Sequence, residues 1–130
     1  MAYDLPVSSD AEHPIVAQLP SGARASFVRL LNQAVRSPTG LREQLPLYVE
    51  AIERASTQGG PPAELGHSIA RDCDALLDAW EQLDEDSQRL ARAAVEYFLL
   101  CRDGDDDLAT PEGLDDDAAV VSAVRRRLGV

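Results

Sequence analysis

The chain has 130 residues and a mass of 14.1 kDa, enough for one domain with its own core and short for two. Twenty-three acids stand against 12 basic residues, all of them arginine, so the net charge is −11 and the pI about 4.4. That charge disfavours binding to a nucleic-acid backbone or to anionic lipid, and an apolar content of 45% argues against wholesale disorder.

The opening Met1-Ala-Tyr-Asp-Leu-Pro6 has neither the basic n-region nor the apolar h-region of a secretory signal. No run approaches the roughly 18 to 20 apolar residues of a membrane span. The longest helical apolar run, Ala93 to Cys101, is interrupted by Glu96. Cys73 and Cys101 form no CxxC and read as buried, reduced thiols. The expectation is a cytoplasmic protein.

Residues 1–20 carry Pro6, Pro14 and Pro20, which forbid a long helix and predict an N-terminal arm. Ile15, Val16 and Leu19 are its candidates for contact with the core. Residues 21–36 read as a helix capped by Ser21, with Phe27, Leu30, Leu31, Ala34 and Val35 on one face, ending before Pro38. A second helical region covers 39–57, with Leu45, Tyr48, Val49, Ile52 and Ala55 as its apolar face. Pro46 falls inside it, so the helix either starts near Gln44 or kinks. Glu50 and Arg54 are spaced for an i,i+4 ion pair. The Gly- and Pro-rich run 56–62 is a break.

Residues 62–83 read as one long amphipathic helix with Leu65, Ile69, Cys73, Leu76, Leu77, Trp80 and Leu83 on its stripe. The segment 86–102 is the most apolar, leaving only a narrow polar stripe of Arg89, Arg92 and Glu96, which predicts a central helix. Residues 115–128 form the last helix. Asp115, Asp116 and Asp117 crowd its start and Arg125, Arg126 and Arg127 its end, both in the sense the helix dipole favours, and Gly129 suits the C′ position. No segment alternates like a strand and no period repeats. The fold class is all-α: a single compact bundle of four to five helices across residues 21–130.

The acidity is concentrated. Residues 72–117 carry a net −13, against −1 for residues 1–71 and +3 for residues 118–130. A field of this strength steers a basic partner or gathers cations. Within it, Tyr97, Asp103, Asp107, Gly113, Asp116, Asp117 and Ala118 form a spaced pattern: an apolar helix, an aspartate-bearing turn, then Asp-Asp-Ala opening another helix. This pattern resembles the YkvA-like family, a small helical domain of unknown function, over about the C-terminal third of the chain. The sequence departs from the family at Cys101 and Asp106, where the family usually has proline, and in a less apolar loop. The resemblance implies a helix–loop–helix and no reaction.

Carboxylates are hard ligands that suit calcium or magnesium, and Asp103, Asp107, Asp116 and Asp117 are the candidate metal set. The spacing is not that of an EF-hand, because Leu108 and Leu114 fall where glycine and a bidentate glutamate belong. Helix capping and ion pairing account for the same acids. The chain holds no GxSxG, GxGxxG, phosphate-binding loop or HExxH. His13 falls in the arm, and His67 in the first turn of a helix as an exposed or lightly buried residue. The sequence therefore reads as a non-enzymatic interaction module for a basic protein partner. A divalent-cation-binding domain is the alternative. The charge opposes self-association, and no apolar stripe identifies an oligomer.

Overall fold

The computed structural model describes residues 13–33, 37–100 and 108–130. Five α-helices follow one another, α1 Arg24–Leu31, α2 Pro38–Ser56, α3 Ala63–Asp78, α4 Glu85–Leu100 and α5 Asp115–Leu128, with no strand among the described residues. Short 3₁₀ turns occupy Pro14–Gln18, Ser21–Ala23 and Trp80–Gln82.

The chain enters α1 later than the Ser21 cap predicts. Ser21 opens a 3₁₀ turn, and no side chain caps it or α1. The preceding segment is held instead by its own polar contacts. The Ile15 N–H donates to His13 Nδ1 at 3.2 Å, and Arg24 folds back on the carbonyls of Leu19 and Ala17 at 3.1 and 3.2 Å. Ile15, Val16 and Leu19 are thereby buried, with the 14–18 turn packed on α1 and α5.

Helix α2 begins at Pro38, earlier than the Gln44 start that Pro46 suggests. Ser37 Oγ accepts the Gly40 N–H at 3.2 Å, and Pro38 stands at N1, where a missing N–H costs nothing. The helix then runs through Pro46, although an interior proline removes a hydrogen bond and costs about 3 kcal/mol. It persists because Leu41, Leu45, Tyr48 and Ile52 are buried on one face, each such side chain contributing about 1.5–3 kcal/mol. Glu50 and Arg54 are both exposed and do not pair.

The long helix predicted over 62–83 is two pieces. α3 ends at Asp78, a 3₁₀ turn follows, and Leu83 is extended. The break has a local cause: Asp84 must sit outside a helix to cap α4, and its Oδ1 accepts the Ser87 N–H at 2.8 Å. Trp80, placed by its spacing on the core stripe, is therefore only half-buried against the core.

Helix α4 is central, packing against all four other helices. Its Ala91, Ala93, Ala94, Val95 and Phe98 are fully enclosed, and the Phe98 ring meets Tyr48 edge-on at 4.9 Å and 68°. The polar stripe is drawn inward too. Glu96 is 5% exposed, and Arg89 and Arg92 are half-buried. Arg89 donates from Nε and Nη2 to the Leu31 carbonyl at 3.2 and 3.0 Å, satisfying the C-terminal end of α1. α5 has the bounds its sequence predicts, and Gly129 ends it with φ of 70°. Arg125 Nη1 bonds Asp72 Oδ1 at 2.7 Å and ties α5 to α3.

Candidate interaction site

Six acids and no basic residue occupy Asp74 to Asp86, and all six side chains are exposed. They span the end of α3, the Trp80–Gln82 turn and the start of α4. The two helix ends treat them differently. Asp84, Glu85 and Asp86 stand at the N-terminus of α4, where the dipole favours negative charge. Asp74, Asp78 and Glu81 stand at the opposite kind of terminus, the C-terminal end of α3. α1, α2 and α5 each place arginine in the last turn, whereas α3 places none. The negative end of the α3 dipole is thus reinforced by acids, and the balancing charge is borrowed from α2. Arg42 Nη2 lies 2.6 Å from Asp78 Oδ1, and Nη1 lies 3.8 Å from Asp74 Oδ1.

Titration reflects this arrangement. Desolvation pushes the Asp74 carboxyl up from its ordinary value, Asp78 pushes it the same way, and Arg42 pulls it back. The Asp84 carboxyl is held down by the Ser87 backbone N–H and hydroxyl. Asp86 lies 3.6 Å from Arg89 and 3.5 Å from His13 Nε2. Glu81 and Glu85 have no ion pair among the described residues, and the same holds for Glu112, Asp115 and Asp116.

Of the four predicted metal ligands, Asp103 and Asp107 lie outside the described residues. Asp116 and Asp117, adjacent on α5, point apart: Asp116 is exposed, whereas Asp117 is 1% exposed. Among the described residues no group of three or more His, Cys, Asp or Glu is placed to hold a metal ion. Cys73 is fully buried, and burial, followed by Asp74, Asp72 and Asp117, raises its thiol pKa well above the ordinary value. Cys101, also expected to be a buried thiol, lies outside the described residues. His67 bonds Glu53 at 2.7 Å on the surface.

Periodicity missed two features. One is the inward turn of Glu96 and Asp117, which in an acid-rich chain look like any other acids. The other is a groove along α2 and α3 lined by Arg42, Leu45, Pro46, Val49 and Ala70, whose only sequence signal is a proline that does not end its helix.

Among the described residues, no helix is long and apolar enough to cross a membrane. No family model, curated protein or solved structure matches the chain.

Proposed function

We propose that this protein is a non-enzymatic interaction module that docks a basic protein partner on its acidic face, residues 72–117, with the Asp74–Asp86 surface at the centre. The observation that carries this is the run of six exposed acids, free of basic residues, three of which stand at a helix C-terminus that no arginine of its own last turn balances. Such a field costs the isolated protein self-repulsion, which a cationic partner relieves, and it accelerates encounter with that partner. A cytoplasmic setting fits a buried thiol that stays reduced. The resemblance to the YkvA-like family implies no reaction and is compatible with this role.

The test is fluorescence anisotropy with an arginine-rich peptide. Raising salt from about 50 to about 300 mM is expected to weaken binding strongly, because exposed charges are screened. Neutralising Glu81, Asp84 and Glu85 to Gln, Asn and Gln is expected to weaken it far more than neutralising Glu112, Asp115 and Asp116. Equal loss in the two sets would remove the Asp74–Asp86 surface from the centre, and salt-independent binding would overturn the proposal.

A further inference from the structure

The groove between α2 and α3 has a volume of about 580 Å³, in the range of a real binding cleft. Leu45, Pro46, Val49 and Ala70 form its apolar part. His67 and Glu53, 2.7 Å apart, mark one end, and Arg42 with Asp74 marks the other. From Arg42 to Glu53 the α2 backbone advances about 16 Å, roughly three helical turns.

Pro46 is the telling residue. Its ring is exposed, so it adds nothing to the core, yet it removes a hydrogen bond from the middle of α2. Its contribution to the surface is twofold: an apolar wall for the groove, and an Arg42 carbonyl deprived of its i+4 donor. Glu50 adds an exposed carboxylate with no ion pair among the described residues. Three carboxylates, Glu50, Glu53 and Asp74, line the groove against two guanidiniums, Arg42 and Arg71, so the charge of these side chains is net negative. At its Arg42 end the groove opens onto Asp74, which is both a lining residue and the first of the six acids. The Arg42–Asp78 bond shows that a guanidinium fits there.

We infer that the α2–α3 groove seats a basic amphipathic helix of the partner protein. Its apolar side chains lie on Leu45, Pro46, Val49 and Ala70, and its cationic side chains reach Glu50 and the acids from Asp74 onward. This inference rests on the acidic docking function and specifies the partner's form. A groove between two helices accepts a third helix through i, i+3, i+4 anchors, and about three turns fill this one. A second copy of this chain is a poor occupant, since each copy carries −11.

Two synthetic peptides of identical leucine and arginine composition separate the possibilities. One has helical i, i+3, i+4 apolar spacing, and the other is scrambled so that no apolar face forms. The wild type is expected to bind the patterned peptide at least about tenfold more tightly. Pro46→Ala restores the backbone N–H and removes the ring, so it is expected to raise the melting temperature while eroding that preference. Ala70→Gln fills the groove without changing charge and is expected to erode it as well, with melting curves confirming the fold. Equal binding of both peptides, unaltered by Pro46→Ala or Ala70→Gln but weakened by Glu81→Gln with Glu85→Gln, would overturn the groove inference and leave acidic docking intact. No binding of either peptide at low salt would overturn both.

Discussion

Arg42 on α2 donates to the carboxylate of Asp78 on α3 at 2.6 Å and lies 3.8 Å from Asp74. The side chains are about half exposed or more, at 43% for Arg42 and 70% for Asp78. A pair this exposed contributes about 0–1 kcal/mol to stability, so its larger consequence is occupancy: the chain's own guanidinium sits where a partner's would. Arg42→Gln is expected to shift the melting temperature little and to tighten binding of a basic helical peptide by about threefold, or some 0.6 kcal/mol. Weaker binding in that variant would mean that Arg42 itself contacts the partner.

At Gly66, α3 packs against Ile52 of α2 with no room for a side chain. A Cβ added to Gly66 would lie 2.8 Å from Ile52 Cγ2 and 3.0 Å from its Cδ1. Two effects oppose each other in Gly66→Ala. Alanine gains about 1 kcal/mol of helix propensity over glycine, whereas overpacking a closed interface costs about 1–3 kcal/mol. Ile52 is fully buried and cannot swing away, so the clash is expected to win. Urea unfolding should show net destabilisation of about 1 kcal/mol. The double variant with Ile52→Ala should be less destabilised than the two single effects added, because the clash and the cavity cancel. Additive losses would show that the helices do not meet here.

Cys73 offers a probe of the core. It is fully enclosed on α3, and desolvation with Asp74, Asp72 and Asp117 around it keeps the thiol protonated. Thiol reagents act on the thiolate, so Cys73 is expected to resist labelling near pH 8 in the native state and to label on unfolding. Peptide mass spectrometry distinguishes it from Cys101. Rapid native labelling of Cys73 would place α3 outside the closed core.

The last helix was legible almost to the residue, because its acids, arginines and terminal glycine mark both ends independently. The central position of α4 followed from a surface apolar nearly all round. Other boundaries were less legible: α1 covers Arg24–Leu31 rather than residues 21–36, and two further limits turned on rival interactions. The Asp84 cap breaks the predicted 62–83 helix, and burial of four large side chains carries α2 through Pro46. In the acidic face, composition located the block of charge but not its organisation. Which acids are balanced depends on Arg42 and Arg125 reaching across from other helices, at 36 and 53 residues' separation from Asp78 and Asp72. No spacing rule reads contacts that distant.

Asp74 and Asp84 should give opposite pH profiles. Burial and Asp78 raise the Asp74 pKa in the folded state against the pull of Arg42. An acid raised on folding destabilises when ionised, and that cost vanishes as pH falls through the folded value towards the unfolded one. Asp74→Asn is therefore expected to raise the melting temperature at neutral pH, with the gain fading as pH enters the carboxylate range. Its side chain is 55% exposed, so the gain is modest and shrinks with salt. Asp84 is the reverse. The Ser87 contacts lower its pKa, so its capping contribution is present at neutral pH and lost as pH falls through the folded value. Asp84→Ala should lower the melting temperature at neutral pH, and that loss should shrink as pH falls below the ordinary carboxylate value. A cationic partner seated beside Asp74 would hold its carboxylate ionised, so binding should release protons and weaken as pH falls through the folded Asp74 value. Calorimetry in buffers of different ionisation enthalpy measures that release, and its absence would place the bound cation away from Asp74.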